Sequence, residues 1–310
     1  MSDERFTLPA FAKINLGLRV LGRRPDGYHE IRTVFQTVTL RDRLTFESLP
    51  GGRLELACDA ADVPADESNL VHRAAVALRE RFGVRVGARV ELEKTIPPGA
   101  GLGGGSSDAA AALLGFARLW RLGARWPELR EAAAGLGADV PFFLTGGTAL
   151  GEGTGAEITP LADAPERHLL IVTPGVKVST AEAYKALNAR ALTKADRAAN
   201  LSVSRAESQI RDSLRGVVPN DFEAAVFGLH PEIGRAREAL AAAGAAGAAL
   251  SGSGSSVYGF FESEGEAERA RASLRAEPGW RVFRCATLTR GAYAAAFGPC
   301  AAGLRAAGGA

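Results

Sequence analysis

The chain has 310 residues, 46% apolar and 23% charged, with a formal net charge of +2. That length can fill two cores of ordinary size. The near-neutral balance and scattered basic residues give no field for nucleic acid, and no apolar run reaches the length of a bilayer span.

The opening "MSDERFTLPAF" has acidic residues and no apolar signal region, so no leader is expected there. Phe11 to Val20 alternates as a strand, with Ala12, Ile14, Leu16, Leu18 and Val20 on one face and Lys13 and Asn15 on the other. Pro25-Asp26-Gly27 then signals a turn. "TVFQTVTL", "DRLTFESL" and "RLELACD" read as further strands of an antiparallel sheet. Ser68 is placed to cap a helix whose Leu70, Val71, Ala74, Ala75, Leu78 and Phe82 form one apolar stripe. "VRVGARVELEK" alternates again, and a glycine run separates it from a helix over Ala109–Leu119, begun at serines. "PELREAAAGLG" is a helix closed by glycine.

A boundary is expected near Pro160 to Arg167, where periodicity is lost. Beyond it come a buried strand "LLIVTP", a helix "STAEAYKAL" and further helix from "NDFE" onward. "GAALSGSGSSVYGFF" reads as two strands around a turn, "GEAERARASLRAE" as a helix and "WRVFRCATL" as a strand. The order β-α-β-β-α-β with an extra helix fits a split βαβ, ferredoxin-like domain. Cys58, Cys285 and Cys300 sit in no metal or redox spacing, which suits a reducing cytoplasm. Only 5 of the 37 basic residues are lysine: Lys13, Lys94, Lys177, Lys185 and Lys194. In so arginine-biased a chain, lysine is enriched where a compact point charge is wanted.

The glycine run is "IPPGAGLGGGSSDAA". Bare backbone lets N–H groups approach an anion, and the helix that follows adds its dipole and free amides, so strand, glycine loop and helix make a phosphate cradle. A Walker A loop needs Gly-Lys-Ser/Thr, whereas Gly105 is followed by Ser106 and Ser107. Gly99, Gly101 and Gly104 match G-x-G-x-x-G, but no acid-ending strand follows about twenty residues later.

"PPGAGLGGGSSDAAAAL" resembles the second motif of the GHMP kinases. "AKINLGLRVLGRRPDGYHEIRTVFQTV", "GADVPFFLTGGTAL", "NDFE" and "LSGSGSSVYGFF" resemble, in order, blocks of one family within them, the 4-diphosphocytidyl-2-C-methyl-D-erythritol kinases. The resemblance runs from about Ala10 to about Phe261. It implies an α+β fold with two domains. One is like domain 2 of ribosomal protein S5, over residues 1–163, and the other is ferredoxin-like, over 164–298. Residues 299–310 are left as a tail with nothing to bury.

The resemblance also implies ATP with Mg²⁺ between the domains, a small cytidine-linked alcohol as acceptor, and a monomer or homodimer. ATP is expected on Pro97, Pro98, Gly99, Ala100, Gly101, Leu102, Gly103, Gly104, Gly105, Ser106 and Ser107, with Asn69, Leu70 and Lys94 around adenine and ribose. Ser107 is the candidate metal ligand. Asp139, which by itself reads as a helix cap, becomes the catalytic base, and Lys13 the cation beside the transferring phosphoryl group. Acceptor contacts fall to Asn15, Tyr28, His29, Asp139, Thr180 and Tyr184, with the two tyrosines on the base and His29 at its edge. Thr180 and Tyr184, at i and i+4, share one helix face. Ser251, Gly252, Ser253 and Gly254 resemble a third, supporting motif.

Overall fold

The computed structural model describes residues 5–188, 220–275 and 277–301. Two sheets lie face to face. The first has six strands: β1 (Phe6–Arg23), β2 (His29–Leu49), β3 (Leu54–Cys58), β4 (Gly87–Glu93), β5 (Thr148–Glu152) and β6 (Glu157–Pro160). They run in the order β3-β4-β2-β5-β6, with β1 along the other edge of β2. The two runs read as separate strands after the first turn are one, since β2 is 21 residues long. β3 pairs parallel to β4, where an antiparallel neighbour is the simpler reading of the sequence.

Helices α1 (Leu70–Phe82), α2 (Gly104–Leu119), α3 (Trp126–Leu136) and α4 (Val140–Phe143) cover one face of this sheet. α1 is capped by Asn69, not Ser68: Asn69 Oδ1 accepts from the Val71 amide at 2.9 Å, while the Ser68 hydroxyl donates to Asp66. α2 starts at Gly104, before the serines.

The second sheet, in the order β10-β7-β9-β8, contains β7 (His168–Thr173), β8 (Ala246–Leu250), β9 (Val257–Phe261) and β10 (Arg281–Ala286). Among the described residues its helices are α5 (Thr180–Leu187), α6 (Glu223–Leu229), α7 (Pro231–Ala242) and α8 (Glu264–Leu274). The strand β7 shows why this half reads as a continuous apolar run. Leu169 and Ile171 pack toward the first sheet, against Ala12, Ile14 and Leu16. Leu170 and Val172 pack on the other side with Val226, Ile233 and Leu240 of α6 and α7. A strand buried on both faces cannot alternate with polar residues.

Further elements depart from the sequence reading: β5 and β6 fall where periodicity is lost and no strand is expected, and a helix forms near the C-terminal end. Arg290–Ala296 forms α9, and its Tyr293 and Ala294, with Phe297, enter the core of the first lobe. Its signal is the small-residue run "GAYAAAF", which has too little apolar bulk to read as a stripe. The turn Gly298–Ala301 follows, with Cys300 against that same core. Residues 302–310, read as a tail, lie outside those described.

Candidate active site

Between the lobes lies a cavity of about 1520 Å³. The phosphate-cradle loop closes one end, running from the end of β4 to Gly103, with Gly99, Gly101 and Gly103 all at positive φ. The loop is clasped from behind. The Ser251 hydroxyl donates to the Gly101 carbonyl at 3.0 Å, and the Ser256 amide to Ala100 at 3.1 Å. A Cβ on Gly101 would fall inside the Ser251 carbonyl, so backbone meets backbone there. Asn220 fixes the clasping turn by donating to the carbonyls of Leu250 and Gly252.

Lys13 enters from β1. Its amide donates to Leu102 of the loop at 3.0 Å, and its side chain is buried. Nζ lies 3.7 Å from Asp139 Oδ2, donates to Asn15 Oδ1 at 2.7 Å and stands 5.4 Å from the Phe35 ring centre. Asn15 in turn donates to Thr33 Oγ1 at 2.7 Å, which donates to the Gly17 carbonyl. This chain of bonds fixes the ammonium. Burial lowers the Lys13 pKa from its ordinary value, and Asp139 works against that fall.

Asp139 precedes α4 yet makes no side-chain cap bond. Its carboxylate turns to Lys13 and the cavity instead. The helix-cap reading of this residue therefore fails on geometry.

The other end of the cavity is aromatic. Thr180 and Tyr184 both line it, and Thr180 Oγ1 is 3.2 Å from Ser253 Oγ. His29 lies flat on Tyr184, with ring centres 4.2 Å apart at 15°. Tyr28 is 67% exposed. The two tyrosines thus do not face each other: His29 holds the Tyr184 face, and Tyr28 stands at the mouth. Burial, then the charge of Arg23, lowers the His29 pKa, which favours the neutral imidazole. Burial pushes the Tyr184 hydroxyl up to about 12.

Gly99, Ala100, Gly101, Gly103, Gly104, Gly105, Ser106, Pro97 and Leu70 line the phosphate end. Five expected nucleotide residues do not. Leu102 is buried in the core between the lobes, so only its backbone belongs to the loop. Pro98 turns off the cavity, and the Asn69 side chain is occupied as a cap. Ser107 Oγ is buried with no partner.

Lys94 is the main correction. Its ammonium is buried between Asp42 at 2.5 Å and Asp108 at 2.6 Å. A lysine so enclosed has no charge to offer a nucleotide. Asp42 and Asp108 were missed, as were Phe35 and Thr33. The available signal for Asp42 is a carboxylate inside the strand run "TLRDRLTF", where aspartate is disfavoured.

The family models agree with this layout. Residues 69–147 match the GHMP kinases N terminal domain and residues 184–279 the GHMP kinases C terminal domain. A 4-diphosphocytidyl-2-C-methyl-D-erythritol kinase of Prosthecochloris aestuarii is 43% identical over 275 residues, covering 88% of this chain and 95% of that protein. The chain belongs to the 4-diphosphocytidyl-2-C-methyl-D-erythritol kinase family. A crystal structure titled 4-(cytidine 5'-diphospho)-2C-methyl-D-erythritol kinase superposes with TM-score 0.77 at 38% identity, covering 91% of this chain and 99% of that one. The Methanococcus jannaschii mevalonate kinase, at TM-score 0.65 and 14% identity over 93% of this chain and 99% of that one, shares the fold alone. A kinase of this family is an ATP-dependent phosphotransferase with α+β GHMP architecture. No helix among the described residues is long and apolar enough to cross a membrane.

Proposed function

We propose that this chain moves the γ-phosphoryl group of ATP to the 2-hydroxyl of 4-diphosphocytidyl-2-C-methyl-D-erythritol, in the non-mevalonate route to isoprenoids. The observation that carries the reading is buried Lys13 paired 3.7 Å from Asp139, whose carboxylate opens on the same cavity as the glycine loop. The nucleotide's phosphates lie along Gly99 to Ser106, where bare amides at the start of α2 meet negative charge. The acceptor hydroxyl sits at Asp139.

As the new oxygen–phosphorus bond forms, the bond to ADP breaks and the hydroxyl proton passes to the Asp139 carboxylate. Lys13 holds its charge beside the transferring group, where positive charge counts most in a dry site. Mg²⁺ keeps most of its oxygens from phosphates and water, so one protein hydroxyl is enough. Ser107 Oγ is unpartnered but buried and off the cavity lining, so it would have to turn outward to hold the ion. When bound, the ion neutralises charge on the β- and γ-oxygens.

The cytosine ring goes to Tyr184 and His29, and Arg23 and Lys185 line the same end as cations for a diphosphate. The setting is cytoplasmic, where three free thiols remain reduced. The test is phosphotransfer from ATP to the cytidine-linked acceptor and to methylerythritol without cytidine. The full acceptor should be the better substrate by two orders of magnitude or more in kcat/KM, roughly one base stack plus its edge hydrogen bonds. Equal turnover of the truncated alcohol sinks the assignment.

A further inference from the structure

Beneath the phosphate loop lies a charged cluster that the reaction does not use. Asp42 on β2 is fully buried, and its two oxygens hold three donors. Oδ1 accepts from the amides of Thr95, at 2.5 Å, and Ile96, at 2.8 Å, while Oδ2 accepts from Lys94 Nζ. Those amides belong to the segment that leaves β4 and enters the loop. The Lys94 amide also donates to Asp59 Oδ1 at 2.8 Å. Lys94 then reaches across to Asp108 Oδ2, in the second turn of α2. Asp108 is 3% exposed, and its Oδ1 has no partner.

The loop is therefore held at both of its ends by one ammonium. Asp42 fixes where the chain departs from the sheet, and Asp108 fixes the helix whose first amides face the cavity. A flexible glycine segment needs such fixed ends, because glycine backbone loses more freedom on ordering than any other.

Resting on the ATP-dependent reading above, we infer that Asp42, Lys94 and Asp108 are positioning residues that set the distance between the two ends of the phosphate loop and so its fit to the nucleotide. Burying three charges is a costly way to gain stability, since buried ion pairs are often matched by apolar packing. Their placement at the loop's two ends gives them a reason beyond stability. Asp108 also carries the pKa consequence of that burial: loss of solvent pushes its carboxyl up to about 7, against the pull of Lys94.

Asp108→Ala tests this without stranding a charge, because Lys94 keeps Asp42 as its partner. ATP binding is measured by calorimetry on the full chain with no acceptor present, beside the Tm and the KM of each substrate. The expected result is a weakening of ATP binding by about ten-fold, the scale of one charge-assisted hydrogen bond. The acceptor KM should be unchanged, and Asp108→Asn should bind ATP within about three-fold of the parent, since its amide oxygen still accepts from Lys94. If Asp108→Ala does not fold, Asp108→Ser, too short to reach Nζ, is read in its place. Unchanged ATP affinity, or an equal rise in both KM values, overturns the inference and leaves the cluster a purely structural one. A parent protein that binds no ATP defeats the kinase reading instead.

Discussion

The two ends of the cavity are built in different ways. At the phosphate end the contacts are main chain, and every fixed point lies behind the surface: Ser251 and Ser256 on the carbonyls of Gly101 and Ala100, and the Lys13 amide on Leu102. At the aromatic end the contacts are side chains: His29 at the start of β2, Tyr28 just before it, and Tyr184 on the short α5. The first end holds its shape before a ligand arrives. The second has one stacked pair and one tyrosine still in solvent. Phosphate is common to many kinases and rewards a fixed cradle. An acceptor base rewards rings that can turn to meet it.

The largest effect should come where the two ends join. Asp139→Asn removes the proton acceptor but preserves shape, so kcat should fall by roughly 10²–10⁴. ATP affinity by calorimetry should stay near that of the parent, because the phosphate end does not use this carboxylate. A turnover number within a few-fold of the parent would return Asp139 to a packing role.

The next effect isolates the phosphate end. Gly103 and Gly104 are poor probes, because a Cβ there would meet Phe143 at 2.8 Å and Ile96 at 3.0 Å and disturb the core. Gly105 is exposed, lines the cavity and has only Leu70 at 3.9 Å. Gly105→Val should weaken ATP binding by roughly a hundred-fold, as a branched side chain holds the phosphates off the amides. Its Tm should stay within a few degrees of the parent, and a large drop in Tm would mean that the loop had been misread.

Much of this was legible in the sequence because it rests on period and on glycine. Most strands of both lobes follow from alternation and turns, though β5, β6 and the parallel pairing of β3 do not, and the cradle follows from a strand, five glycines and a helix. The lysine bias was a fair guide in part. Lys13 and Lys94 are both buried in ion pairs, and Lys185 lines the cavity, whereas Lys177 makes an exposed pair with Asp62. What the sequence hid is three-dimensional pairing. Nothing in the spacing of Asp42, Lys94 and Asp108 places them together, since two are separated by 52 residues. The direction of a side chain was equally hidden: Lys94 ends a strand as a surface lysine would, and only the fold turns it inward.

At the aromatic end the effects should be smaller and should fall on the acceptor alone. Tyr184→Ala removes the ring that His29 covers, so the acceptor KM should rise by about ten-fold, the worth of one stacked base. ATP affinity should not move. If both substrates weaken together, Tyr184 is holding the lobes in place through its edge contact with Phe222.

The smallest effect concerns choice between bases. Stacking accepts any ring, so preference for cytidine over uridine has to come from hydrogen bonds at the base edge. His29 is the side chain placed for this, and burial lowers its pKa in favour of the neutral ring. A neutral imidazole has one donor and one acceptor, whereas the charged form has two donors. Cytosine offers an amino donor where uracil offers a carbonyl, so an accepting ring nitrogen prefers cytosine. Protonation would reverse that preference. His29→Ala should therefore narrow the ratio of kcat/KM for cytidine and uridine acceptors by about five-fold, near the worth of one hydrogen bond. The parent should show the same narrowing as the pH falls through the depressed histidine pKa, below 6.5, while the variant should show none. A preference that survives both the substitution and the acid titration would assign base choice to backbone groups, and would leave His29 as the ring that covers Tyr184.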